Sequence, residues 1–488
     1  MTGNKKYSMN NQPSLKINFG MNALLTVSSI IFPIITFPYI SRVLQPDGMG
    51  RVSFALSIVS YFTMISQLGI PTYGIRAVAR VRDNREELTR VTHELLFINL
   101  IMSLISYGVL FILLFTVPRL SEDRLLILVV SASIILDAIG TEWLYKGLEQ
   151  YTYITVRSIT FKIISVIAMF LLVHEKGDYV IYGAISVFAA SAANIINLIN
   201  IGKHVDIRSV GSYDIKKHLK SVLVFFAMTC ATTVYLNLDT VMLGFMTDNE
   251  EVGYYHASVR IKSVLTAMIT SLGAVLLPRI SYYIEQGENQ RFREVCMKAF
   301  RFVVFAAVPT VVYFMIFAKE TVLLISGGDY VGSILPMRII MPTVLFIGLS
   351  NIIGIQIFIP FGEEKQVLRS EVAGAIVDVI INLLLIPHFK SAGAAAGTLV
   401  AEAVVLIVQA FIFRKMVRTG KYEAMSFPGF FRELDLFRVT AAVIIATAAS
   451  VWVKLFGFGN FFTLAVSASL FFGVYAGVYV LSGGKILR

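Results

Sequence analysis

Four basic side chains fall inside, or at the mouth of, long apolar stretches. Lys162, Arg260 and Lys262 lie deep in such stretches, and Arg42 lies just past the first. An ionised side chain at membrane depth is costly and is a functional candidate by default. An arginine fork can hold phosphate oxygens bidentately, whereas lysine offers a point charge, so these four are candidates for holding an anion. Arg338, near the end of another stretch, can snorkel outward. The deep acidic residues are Asp137, Asp239, Asp378 and Glu402. Asp378 and Asn382 are four apart and share one helix face, as do Thr398 and Glu402. The carboxylate, amide and hydroxyl oxygens of Asp378, Asn382, Asp239 and Thr398 suit a Na⁺ ion or a proton. A plainer reading stands beside each. The cations could pair with Asp137, Asp239 or Glu402 and only hold helices together, Arg42 could cap a turn, and the oxygens could form a buried hydrogen-bond network.

These residues must be positioned by membrane helices. The chain has 488 residues, 56% apolar and only 15% charged, with a mean hydropathy of +0.75. A soluble chain would carry about 25% charge. The composition excludes a soluble enzyme and a disordered protein. A spanning helix needs about 20 apolar residues. Fourteen runs qualify: 17–41, 50–72, 94–117, 124–146, 154–174, 179–201, 219–246, 252–277, 299–318, 334–358, 367–387, 393–413, 436–456 and 461–481. The first run follows a polar segment, is too long for a signal-peptide core and lacks a small-x-small cleavage site, so no signal peptide is expected. Cys230 and Cys296 have no C-x-x-C spacing or nearby histidine and read as structural.

The net charge of +11 sits mostly in short gaps between runs, which fits topology and anionic lipid better than nucleic acid. With a cytoplasmic N-terminus, the inner segments hold about 30 Lys and Arg and the outer loops about 8, which predicts both termini inside and an even number of spans. By that topology Arg260 and Lys262 lie about 12–15 Å below the outer surface and Lys162 about 12 Å from the inner end of its helix. An internal repeat is visible. Gly48-Met49-Gly50-Arg51-Val52-Ser53 returns as Gly253-Tyr254-Tyr255-His256-Ala257-Ser258, and Val156-Arg157-Ser158 as Leu368-Arg369-Ser370. His174 with Tyr182-Gly183-Ala184 returns as His388 with Ala392-Gly393-Ala394. The order and near-constant offset predict two parallel six-helix halves and a final pair, an arrangement carriers use to rock about a site between bundles. The expected division is 1–212, 213–417 and 418–488. Pro33, Pro38, Pro309 and Pro342 predict kinks or interruptions. Gly393-Ala394-Ala395-Ala396-Gly397 predicts a close-packing face.

Several segments resemble one family. Arg42-Val-Leu-Gln-Pro46-Asp-Gly48-Met-Gly50 is similar to the R-x-L-x-P-x-x-x-G loop after the first helix of polysaccharide exporters. Leu68-Gly69-Ile70-Pro71 with Gly74-Ile-Arg76, Leu238-Asp239-Thr240-Val241-Met242-Leu243-Gly244, Val252-Gly253-Tyr254-Tyr255 and Leu277-Pro278-Arg279 follow in order. Asn382-Leu-Leu-Leu-Ile-Pro387, then Gly393-Ala-Ala-Ala-Gly397-Thr398, completes the set. The chain thus resembles, over nearly its whole length, the oligosaccharide flippases (O-antigen and capsule repeat-unit translocases) of the multidrug/oligosaccharidyl-lipid/polysaccharide superfamily. The resemblance implies an all-α, V-shaped alternating-access carrier of two six-helix lobes with two further helices. It implies movement of undecaprenyl-diphosphate-linked oligosaccharide across the bacterial inner membrane, and a polysaccharide polymerase and chain-length regulator as partners. The cations named above would then meet the diphosphate in a cleft between the lobes. Some relatives carry a cation site on the seventh, eleventh and twelfth helices with an N-x-x-x-D pair. Here the order is reversed, Asp378-x-x-x-Asn382.

Two other classes compete. A drug exporter of the same superfamily shares the architecture but favours acidic, aromatic clefts, whereas the deep charges here are mixed. A membrane glycosyltransferase or polymerase needs an acidic catalytic pair on a sizeable outer loop. Glu122-Asp123 and Glu250-Glu251 sit in very short loops and read as solvated helix caps. No nucleotide-binding P-loop is present in the sequence, so transport without ATP hydrolysis is expected, with no cofactor beyond Na⁺ or a proton.

Overall fold

In lipid every backbone polar group must be satisfied internally, so apolar runs of this length fold as helices. The computed structural model describes residues 15–419 and 434–484, and every regular element among them is helical. In chain order these are α1 Leu15–Gln67, α2 Ile70–Val81, α3 Arg85–Thr116, α4 Pro118–Glu122, α5 Arg124–Ile139, α6 Glu142–Gly147, α7 Tyr151–Leu172, α8 Tyr179–Val187 and α9 Ala193–Asn200. Then come α10 Lys216–Met246, α11 Asn249–Glu285, α12 Asn289–Ile316, α13 Ala318–Ile325, α14 Ile334–Ile340, α15 Thr343–Asn351, α16 Glu364–Arg418, α17 Leu436–Ser450 and α18 Asn460–Leu481. Polar residues start the helices that have side-chain caps. Asn84 accepts from the Glu86 and Glu87 amides at the start of α3, and Asp248 accepts from Glu251 N–H at the start of α11, each satisfying donors a first turn leaves open.

Among the described residues, 11 helices are long and apolar enough to span, or 12 with the bent pair Gly328–Ile340 and Thr343–Phe358. The longest two, Lys16–Val81 and Glu364–Arg418, each hold two of the predicted runs. Between its two predicted runs each breaks at a residue with positive φ, Gln45 (57°) and Lys390 (49°), and the first has another such residue, Leu68 (48°), just before α2. Dividing each between its two runs gives about the number read from hydropathy. Of the helix prolines, Pro33 and Pro38 lie within α1 and Pro309 within α12, whereas Pro342 marks a 43° bend. A further break has no proline. α5 ends at Gly140, Thr141 adopts left-handed geometry, and α6 resumes at Glu142.

The chain divides into two compact units, Met1–Val241 and Met242–Arg488, the dividing point lying inside α10. The first has a core in which Leu68, Ile70, Val78, Leu95, Trp143 and Tyr145 meet. Gly74 is required there, because a Cβ would stand 2.7 Å from the Trp143 ring. In the second unit, α17 and α18 dock on α12 and α13. Tyr313 donates to Leu464 O at 3.0 Å, Tyr475 to Phe305 O at 2.8 Å and Lys454 to Ile316 O at 2.7 Å. Outward residues such as Leu104, Ile199 and Leu455 are exposed, as a lipid-facing surface requires.

Candidate functional site

The predicted anion-holding residues fall in both units. Lys162 projects from α7 toward α1, where its ammonium donates to Ser28 Oγ (3.0 Å) and Ser29 Oγ (2.8 Å) and lies 6.0 Å from the centre of the Phe32 ring. No carboxylate pairs with it among the described residues, although Glu142 lies within electrostatic range. Hydroxyls hold an ammonium without cancelling its charge. Arg42 is exposed and donates to Pro38 O at 3.3 Å, one turn back on α1. It sits just before the Gln45 break.

Arg260 and Lys262 are half-buried on α11 in the second unit. Two residues rotate a helix by about 200°, so the pair points to different sides of α11. Arg260 lies one turn after His256, close enough to act on it electrostatically.

Three of the four predicted cation ligands come together. α16 folds back at Lys390, so its two arms pack side by side. Asp378 and Asn382, on the first arm, are 2% and 0% exposed, and Thr398 and Glu402, on the second, 8% and 7%. The arms approach through Gly397. A Cβ there would fall on Asn382 Oδ1 and stand 3.0 Å from Asp378 Oδ1. One turn away, a Cβ on Gly393 would meet Leu385 O at 2.5 Å. The predicted small-residue face therefore seats a carboxylate and an amide against bare backbone. Tyr255 of α11 shares a 2.9 Å hydrogen bond with Thr398, and Thr398 also donates to Ala394 O. Tyr255 was not singled out as a site residue, though it ends the Val252–Tyr255 segment. Asp239, the fourth expected ligand, belongs to the first unit and lies within electrostatic range of Tyr61.

One expectation is corrected at two residues. Asp123 is buried and its carboxylate accepts from Arg51 Nη1 at 2.7 Å, and Glu251 is not a solvated cap either. Its carboxylate accepts from Ser391 N–H (3.1 Å) and Ser391 Oγ–H (2.5 Å) and lies 3.5 Å from Lys390 Nζ. Lys390 also reaches Asp248 at 3.4 Å. The start of α11 is thus fastened to the turn between the arms of α16, which carry Asp378 and Thr398. A second polar group lies where α3, α10 and the segment before α10 meet. Fully buried Glu94 accepts from Asp214 N–H at 2.7 Å and contacts His218 Nε2 and Lys217 Nζ, each at 2.8 Å. No motif in the sequence pointed to it, because its partners lie about 120 residues away.

A chain whose described residues form this many long apolar helices, with carboxylate and amide groups buried among them, is a polytopic membrane protein. Residues 15–284 match the family described as polysaccharide biosynthesis protein, and the chain belongs to that family. It is 24% identical over 399 residues to a "Putative O-antigen transporter" of Escherichia coli (strain K12), covering 81% of this chain and 95% of that one. It is 20% identical over 297 residues to a "Probable low-salt glycan biosynthesis flippase Agl15" of Haloferax volcanii, covering 59% and 54%. Among solved structures it is similar to the lipid II flippase MurJ in an inward closed conformation, with a TM-score of 0.71 at 15% identity over 94% of this chain and 98% of that one. An inward-facing multidrug resistance MATE family transporter follows, with a TM-score of 0.64 at 14% identity over 80% and 95%. These two likenesses establish the fold.

Proposed function

We propose that the protein moves undecaprenyl-diphosphate-linked oligosaccharide repeat units from the cytoplasmic to the outer leaflet of the bacterial inner membrane by alternating access. The reading rests on one observation above the others: Lys162 is a membrane-embedded ammonium held by two neutral hydroxyls. Such a group meets the diphosphate, the charged part of a lipid-linked sugar, which lipid cannot shelter. The names of the relatives support the same substrate class. Arg260 and Lys262 serve the second lobe and Arg42 the entrance, with lobes at 1–212 and 213–417 and residues 418–488 added. Both termini are cytoplasmic. A polymerase and a chain-length regulator take the product onward. The protein carries its substrate unchanged and is not an enzyme.

Flipping alone equalises the leaflets, so net transport needs a driving force. The membrane potential supplies about 2.3 kcal/mol per charge per 100 mV. Asp378, Asn382 and Thr398 take up the coupling cation, Na⁺ or a proton. The ion acts through different affinity in the inward- and outward-open states. The test is surface polysaccharide in a strain lacking its own flippase. Lys162→Ala should abolish it at normal membrane level of the protein, and Lys162→Arg should restore part. Full export by the Ala variant removes Lys162 from the path.

A further inference from the structure

Asp137 has no place in the reading above. It lies in the last turn of α5, just before the break at Gly140 and Thr141. Two amides cap carbonyls beside that break. Asn99 Nδ2 donates to Ala138 O at 3.2 Å and Asn197 Nδ2 to Gly140 O at 2.5 Å. Opposite, the helix containing α8 and α9 loosens into a π turn over Phe188–Ala192, a feature frequent at functional sites. The Asp137 carboxylate lies between the break and the π turn. It accepts from Asn194 Nδ2 at 3.0 Å and faces the Ser191 hydroxyl.

No Lys, Arg or His pairs with Asp137 among the described residues. The ionised group that acts on it is Glu142, which is also negative and is held by Lys146 (2.7 Å) and Arg157 (3.2 Å). The other packed elements supply no counter-charge. α3 brings Asn99, α7 directs Arg157 to Glu142 and Lys162 to Ser28 and Ser29. The α1 pair Asp47 and Arg51 is joined to Asp123 at the far end of α5. An ionised carboxylate in this position is uncompensated. Beside the same break, Asn99 Oδ1, Asn197 Oδ1 and Thr141 Oγ1 are buried without a protein partner among the described residues. Polar atoms of this kind bind internal water, which gives protons a way in.

We infer that Asp137, with Ser191 and Asn194, is a proton-binding site of the first unit, separate from the Asp378 cluster and independent of what the chain carries. The ligand is a proton taken from water: one O–H bond forms on the carboxylate, hydronium returns to water, and nothing is oxidised or reduced. Asn194 turns its NH₂, not its oxygen, toward Asp137, which suits proton exchange and not the oxygen shell of a metal cation. Protonation converts an acceptor into a donor, so the α5 break and the π turn exchange one hydrogen-bond pattern for another.

The test is infrared difference spectroscopy of the full-length protein in lipid nanodiscs, acidified from about pH 8 to about pH 5, a range that starts above the ordinary histidine value and ends near the ordinary carboxyl values. A carboxyl C=O band should appear in the parent, vanish in Asp137→Asn and persist in Asp378→Asn. Asn194→Leu removes a donor that favours the ionised form, so the band's midpoint should move to higher pH. Glu142→Gln removes a repelling charge, so it should move to lower pH. These two variants keep the test open if Asp137→Asn does not fold. A band unaltered in Asp137→Asn, a midpoint unmoved in both other variants, or one displaced by NaCl relative to KCl would overturn the site.

Discussion

Gly397→Ala tests the proposed coupling site through geometry alone. The added methyl would fall on Asn382 Oδ1 and press on Asp378 Oδ1, 3.0 Å from the new Cβ. Overpacking of this kind costs about 1–3 kcal/mol. Displacing a fully buried amide from its partners costs a further amount of about 1–3 kcal/mol. If the low end of the total, about 2 kcal/mol, falls on the cation-bound state, apparent cation affinity drops about 30-fold. The assay is transport in proteoliposomes under imposed Na⁺ or proton gradients, beside thermal unfolding of the same preparations. Gly393→Ala is the control. Its methyl meets Leu385 O at 2.5 Å, one turn away, so it should destabilise the arms while leaving the cation response intact. Asn382→Ala added to Gly397→Ala makes room for the methyl and should recover stability without recovering the cation response, a non-additivity expected of residues in contact. The reasoning fails if Gly397→Ala loses as much stability as Gly393→Ala yet responds to the gradients as the parent does.

Three further outcomes are expected. Accessibility tags at 210 and 425 should report cytoplasm and a tag at 328 the outside; position 425 lies outside the described residues, and a cytoplasmic 328 would break the span count. Arg260→Ala should abolish surface polysaccharide with the protein still in the membrane, and Arg260→Lys should restore only part because the fork is lost; normal export by the Ala variant would clear Arg260 of the role. His204 is held below the ordinary imidazole value by burial, then by Lys203 and Arg85. It therefore stays neutral in the fold while the unfolded chain takes up a proton. Its share of stability is present above about pH 6.5 and is lost as pH falls below that. His204→Gln should flatten the acid side of a pH–Tm profile, and an unchanged slope would count against this placement.

The sequence by itself determined that this chain is a polytopic bundle of membrane-length helices and which small residues let two arms approach. Both follow from local facts: the length of an apolar run against the thickness of lipid, and glycines four residues apart on one helix face. The i, i+4 spacing also put Asp378 beside Asn382 before any fold was known. Tertiary structure decided the partners. Lys162 turned toward Ser28 and Ser29, some 134 residues away, and not toward a carboxylate. Glu251 became the anchor of Ser391 and not a solvated cap. Asp137 met Asn194 across a break with no proline to announce it. Hydropathy is indifferent to rotation of a helix about its axis, since lipid asks only that the run be apolar. Which side chain faces which is set by the packing of helices distant in sequence, and that decides which buried charges are answered and which are left to bind something else.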